Sequence, residues 1–251
     1  MKNPLSRSLS YIKFSYRSRG FKYLVGEVCF IITKKILRKY FQPSLSDFNS
    51  SGFDLHHDSE QAINKILENA SGLGLLEVLM EYDKLFDELQ NRLDDAKFGI
   101  EDDMAKLMYL LIRIAKPDNV METGVAKGVS TFFITNALSK NGNGSLISVD
   151  ISGDVATFLN GEERKRWKLK VLNTSYNPRK QFHKILNECP PLSIYLHDGD
   201  HSYMWQRMEY DLALQKLKGG GILLSDDVDS SYAFIDSLRN SDEFSSITLK
   251  L

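Results

Sequence analysis

The sequence is poor in cysteine. Its two residues, Cys29 and Cys189, stand in unlike surroundings and at no metal or redox spacing, which excludes a disulfide scaffold and points to a reducing cytoplasm. Long hydrophobic runs are also missing. The best candidate, "YLVGEVCFII", is far shorter than the ~20 residues that cross a bilayer and is broken by Glu27, so a transmembrane anchor is not expected. A signal peptide is not expected either, because no small-residue cleavage site follows that run and Lys34, Lys35, Arg38 and Lys39 come instead. Acid is scarce in one place only: residues 1–43 hold ten Lys/Arg against Glu27, so 10 − 1 = +9, and the whole-chain charge of −1 leaves −10 for the remainder. Such asymmetry suggests an arm for an anionic surface, while the acidic body argues against a nucleic-acid groove. Within the arm, Phe21, Leu24, Val25, Val28 and Ile32 share one helical side, which suits a membrane interface or packing on protein equally well. Finally, no G-x-G-x-x-G is present at a strand end, so the usual dinucleotide turn is missing.

What is present suits one α/β domain with an N-terminal extension: 251 residues, 42% of them hydrophobic, are enough for a sizeable core. Residues 44–58, rich in Ser, Asp and Gly, read as a linker after the 1–43 arm, with His56 and His57 solvated in it. Residues 59–100 read as a helical extension, since Leu75, Leu79, Tyr82, Phe86, Leu89 and Leu93 repeat at one helix face. Packing on the domain is the expectation for that face, rather than a coiled coil. A second helix carries Met104, Leu107, Met108, Leu111, Ile112 and Ala115 and ends before Pro117.

From Pro117 short apolar runs alternate with helical stretches. "NVMET", "SLISVD", "KLKVLN", "LSIYLH" and "GILLSD" read as strands, with helices expected near 129–139, 152–160, 177–187, 202–217 and 231–239. Alternating β and α with continuous apolar strands predicts a doubly wound, mostly parallel, Rossmann-like sheet, which binds ligands beyond the carboxyl ends of its strands. The closing "SSITLKL" reads as a sixth strand, with nothing after it for a further antiparallel one.

The residues just after each strand therefore carry the functional information. "VMETGVAKGVST" places Glu122, Gly124, Gly128 and Ser130 at a strand-to-helix turn, where glycines allow close approach and a helix N-terminus offers N–H groups. Glu122 would repel phosphates and favour a cationic ligand. Asp150 ends the second strand, where a carboxylate can accept both hydroxyls of a ribose, and Ser175 after the third offers a hydroxyl for an adenine edge. A ligand with a cation at one end and adenosine at the other is S-adenosylmethionine. The last two strands end in "HDGDHSY" and "SDDVD". Three carboxylates there, Asp198, Asp226 and Asp227, would repel one another without a cation between them, and Mg2+ or another hard divalent ion is the expected guest. His201, three residues past Asp198, is placed to take a proton as a general base, Asp200 to cap the following helix, and His197 on the opposite side of its strand.

"VMETGVAKGVST", "ISVD", "YLHDGDHSY" and "LKGGGILLSDDV", in this order, resemble the class I S-adenosylmethionine-dependent methyltransferases, in particular the metal-dependent O-methyltransferase branch with macrocin O-methyltransferase and the cephalosporin-hydroxylase-like proteins. The resemblance spans about residues 100–250 and implies a methyltransferase domain over 101–251. It implies Glu122, Gly124 and Ser130 around the methionine moiety and Asp150 on the ribose. It also implies Asp198, Asp226 and Asp227 as metal ligands and His201 as base. The expected activity is methyl transfer to a hydroxyl of a small molecule or sugar. The rivals are a non-catalytic cofactor- or glycan-binding module and a metal hydrolase built on "HDGDH". A cytoplasmic location, peripheral contact of the arm with a membrane and a homo-oligomer are compatible with this reading.

Overall fold

In the computed structural model, residues 43, 54–56, 75–93, 102–238 and 247–249 are described. Two helices come before the sheet: α1 (Leu75–Arg92) and α2 (Asp102–Ala115). Then follow β2 (Asn119–Thr123), α3 (Val129–Asn141), β3 (Ser145–Asp150), the short α4 (Gly161–Arg164) and β4 (Trp167–Val171). The chain continues through α5 (Pro178–Glu188), β5 (Leu192–His197), α6 (Tyr203–Lys216), β6 (Leu217–Ser225) and α7 (Ala233–Leu238). A strand β1 (Asp54–His56) precedes them all and β7 (Ile247–Leu249) closes the chain.

The five strands form one parallel sheet in the order β4-β3-β2-β5-β6. Alternate residues sort to its two faces, as strand geometry requires. Val120, Leu146, Ile194 and Leu196 join the core under α1–α3. Met121, Val149 and Tyr195 face the other way, against Phe182 of α5 and Trp205 of α6. All six residues of β5 are buried, so the doubly wound expectation is the observed fold.

The α1 face packs on the domain as expected: Tyr82 and Leu89 are buried, and the Tyr82 ring stacks 4.9 Å from Phe133 of α3. Ion pairs reinforce it, with Arg113 Nε 2.7 Å from Glu81 and Arg92 Nη1 2.8 Å from Glu163. Helix α2 buries Met104, Leu107, Met108, Leu111 and Ile112 and ends at Ala115, ahead of Pro117.

Two expectations need correction. No helix forms at 152–160; that stretch is turns, and helix begins only at Gly161 behind a capping box made by Asn160 and Glu163. The physical reason is local competition for backbone donors. Ser152 N–H donates to Asp150 Oδ1 at 2.8 Å, Asp154 N–H donates to Ser152 Oγ at 3.1 Å, and Ala156 adopts a left-handed φ of 49°. The terminal strand also does not extend the main sheet. β7 pairs in parallel with β1, a strand lying inside the stretch expected to be linker. The 1–43 arm with its amphipathic face falls outside the described residues apart from Pro43, as do His57 and most of the 44–58 linker.

Candidate active site

All five strands run the same way, so Thr123, Asp150, Val171, His197 and Ser225 end along one rim. The turn after β2 is shaped by the two glycines. Gly124, at φ +80°, donates its N–H to Val149 O at 3.0 Å, and a Cβ there would lie 1.9 Å from the Asp198 carbonyl oxygen. Gly128, at φ +87°, would place a Cβ 2.3 Å from that of Ala156. No side chain fits either position. The partners that demand glycine are thus segments of this chain, and the turn is pressed directly against Asp198.

Asp150 braces the same turn. Its Oδ2 accepts from Val125 N–H at 2.8 Å and Ala126 N–H at 3.4 Å, while Oδ1 accepts from Ser152. The carboxylate stays half-buried at the rim. Glu122 lies beneath, with no exposed surface. It accepts hydrogen bonds from Ser130 Oγ, from Thr131 Oγ1 at 2.8 Å and from Ser148 Oγ at 2.6 Å. Burial pushes its carboxyl above the ordinary value, and the three hydroxyls counter that only in part. Glu122 and Ser130 are therefore brought together, but with each other. Thr131 and Ser148 complete the cluster and were not singled out from the sequence. Ser148 is the direct ladder partner of Glu122, a register that the sequence alone does not give. Ser175 lies exposed in the loop after β4 and donates its N–H to Asn173 Oδ1 at 2.9 Å.

The acidic group forms at the ends of β5 and β6. Asp198 N–H donates to Thr123 O at 2.9 Å, and Asp226 N–H to His197 O at 2.9 Å, so sheet-like bonds carry both residues past the strand ends. The Asp198 carboxyl is pushed up to about 8, first by burial and then by Asp226, Glu122 and Asp227. Every neighbouring charge acting on it is negative. Burial likewise raises Asp226, against the hydrogen bond that its Oδ1 accepts from Asp227 N–H at 2.9 Å, while the Asp227 charge pushes the same way as burial. Asp227 sits at φ +48°, ahead of the 3-10 turn Val228–Ser230, and its Oδ2 lies 2.9 Å from His201 Nδ1. His201 Nε2 is 3.9 Å from Asp198 Oδ1 and, among the described residues, has no hydrogen-bond partner. Burial and the neighbouring His197 lower the His201 pKa against the pull of Asp227 and Asp226, which favours the neutral ring. Asp200 accepts from Ser202 N–H at 2.9 Å and so closes the turn just before α6.

The four residues expected to form a metal and base site thus adjoin one another. The charge of the carboxylates fits a cation. Their arrangement is not that of a closed ligand set: among the described residues no three His, Cys, Asp or Glu side chains are grouped to hold one ion, and Asp227 is engaged by His201. His197 departs from expectation. Its ring faces α6, not away, and lies 5.4 Å from that of His201. Glu209 was missed altogether, because apolar periodicity assigns a glutamate in a helix to solvent.

No helix among the described residues is long and apolar enough to cross a membrane. Among curated proteins, none matches the chain. Several solved structures are similar to it. An O-methyltransferase from Bacillus cereus in complex with SAH is 17% identical, at TM-score 0.43, covering 68% of this chain and 76% of that one. SAH-bound methyltransferase PaMTH1 from Podospora anserina is 16% identical, at TM-score 0.42, with 68% and 69% covered. TomG from Streptomyces achromogenes, an O-methyltransferase of tomaymycin synthesis solved with SAM, is 16% identical, at TM-score 0.42, with 73% and 84% covered. Residues 121–228, from β2 through the braced turn and the acidic group to the start of the 3-10 turn, match the family model for a methyltransferase domain.

Proposed function

We propose that this chain is an S-adenosylmethionine-dependent O-methyltransferase that methylates a hydroxyl of a small molecule or sugar with the help of a hard divalent ion such as Mg2+. The observation that carries the reading is the crowding of Asp198, Asp226 and Asp227 about His201, against a turn braced by Asp150 and within a stretch matching a methyltransferase domain.

S-adenosylmethionine supplies a methyl group on a sulfonium, a positive donor suited to an acidic crevice. Asp150 suits its ribose, because a carboxylate that accepts from backbone N–H groups keeps lone pairs for two hydroxyls. Gly124, Gly128 and Ser130 belong to the turn beside the methionine end, and Ser175 to the adenine end. Glu122, with no exposed surface, supports the turn from beneath by accepting from Ser130, Thr131 and Ser148. Asp198, Asp226 and Asp227 are not grouped as a ligand set among the described residues, so they would have to close around a divalent ion; held there, it would supply a Lewis acid for the accepting oxygen.

His201 provides the proton acceptor. With its Nδ1–H donated to Asp227, the lone pair rests on Nε2, the nitrogen facing Asp198. Nε2 is buried in this structure, so acceptor binding must uncover it; the hydroxyl would then give its proton to Nε2 as its oxygen bonds to the methyl carbon and the carbon–sulfur bond breaks, leaving S-adenosylhomocysteine. The basic 1–43 arm would rest on an anionic surface such as the inner face of a membrane, with the protein in the cytoplasm. Calorimetric titration with S-adenosylhomocysteine tests the core of the proposal. The full chain should bind it, and absence of binding removes the reading.

A further inference from the structure

A second polar cluster lies directly behind His201. Glu209 of α6 is 1% exposed and has four side-chain donors. Thr123 Oγ1 donates at 2.8 Å, Tyr195 OH at 2.9 Å and Trp205 Nε1 more closely, and His197 Nδ1 lies at 2.6 Å. These come from the end of β2, from β5 and from α6 itself. Burial alone would raise the Glu209 carboxyl, but the charge and hydrogen bond of His197, with those of Thr123 and Tyr195, hold it below its ordinary value. An ionised group at such depth is unfavourable unless every lone pair is met, and apolar residues would fill the same space at no such cost. A cluster met from so many sides holds its members in one arrangement.

The geometry of His197 supplies one. Glu209 fixes its Nδ1, so the ring cannot turn. One side of that ring meets Tyr210 at 5.2 Å, edge to face, and another meets His201 at 5.4 Å and 61°. His201 is thereby held from two directions, by the His197 ring and by Asp227 at Nδ1, while Ser230 Oγ donates to its backbone carbonyl at 3.2 Å. Both imidazoles keep Nε2 buried and without a hydrogen-bond partner among the described residues.

We propose that Glu209 and His197 form a buried brace that holds the His201 imidazole in its base orientation, making both positioning residues for methyl transfer. This rests on His201 being the base. Both brace residues are fully buried, so their effect is read on His201 itself. Long-range proton–nitrogen spectra of the full chain, with His201 assigned through His201→Gln, report which ring nitrogen carries the proton. Wild type should show His201 as one fixed tautomer, protonated at Nδ1. In Glu209→Gln, which keeps the size of the side chain but has one acceptor oxygen to share among Thr123, Tyr195 and Trp205, the two His201 nitrogens should move toward averaged values, with S-adenosylhomocysteine affinity within about twofold of wild type. His197→Leu, which removes the ring but not the bulk, should do the same and decides the matter if Glu209→Gln does not fold. Wild-type His201 shifts in either folded variant would overturn the brace. Failure of wild type to bind S-adenosylhomocysteine would instead sink the methyltransferase reading, whatever the ring spectra show.

Discussion

Asp198→Asn tests the electrostatics of the site without any knowledge of the acceptor. In the folded chain the carboxyl titrates at about 8, against 3.8 for an ordinary aspartate. A folded pKa above the unfolded one means that the native state holds its proton longer. The contribution to stability is complete below pH 4 and is lost as pH rises toward 8. Between pH 5 and 8 the full shift corresponds to about 4 kcal/mol at ~1.4 kcal/mol per unit. The side chain is 21% exposed, and relaxation around the ionised form reduces the figure further, so about 2 kcal/mol is the working expectation. Asparagine keeps the shape and has no proton to lose. Urea unfolding in chelator, followed by tryptophan fluorescence at several pH values, should show wild type falling behind Asp198→Asn by about 2 kcal/mol as pH rises from 5 to 8. Parallel profiles for the two proteins would refute the crowding of carboxylates on which the site is built.

Other perturbations address the turn, the core and the cofactor end. Gly124→Ala forces a Cβ to within 1.9 Å of the Asp198 carbonyl oxygen and should cost about 3 kcal/mol or more, seen as a marked fall in Tm; an unchanged Tm would show that the turn is not pressed on Asp198. Phe133→Ala removes a fully buried ring stacked on Tyr82 and should cost about 3–5 kcal/mol in urea, whereas a loss below about 1 kcal/mol would mean that α1 does not pack on α3 as described. Asp150→Ala should weaken S-adenosylhomocysteine about 10- to 100-fold by calorimetry, the range for hydrogen bonds to a charged acceptor. Unaltered affinity would take Asp150 out of the cofactor site.

The sheet was legible because β2, β3 and β5 are apolar runs bounded by turn residues, and because side chains at the ends of parallel strands necessarily share a rim. That logic brought Asp198, Asp226, Asp227 and His201 to one place without any structure. It did not reveal which way His197 points, since a strand buried along its whole length has no polar face to set its orientation. Glu209 was illegible for a related reason: its burial depends on donors from β2 and β5 that lie far off in sequence. The failed helix at 152–160 turned on Ser152 and Asp150 capturing backbone N–H groups, a competition that periodicity does not register. Strand β7 was legible in "SSITLKL", but its partner β1 is three residues inside a stretch that reads as linker, too short to show a pattern.

The central claim is that one acidic rim accommodates a sulfonium donor and a divalent ion together. Titration of the full chain with Mn2+, followed by electron paramagnetic resonance in the presence of S-adenosylhomocysteine, tests it most directly. The account predicts one bound ion per chain, lost in Asp226→Asn while the nucleoside stays bound. Saturation with S-adenosylhomocysteine and no bound Mn2+ at any concentration up to millimolar would contradict it.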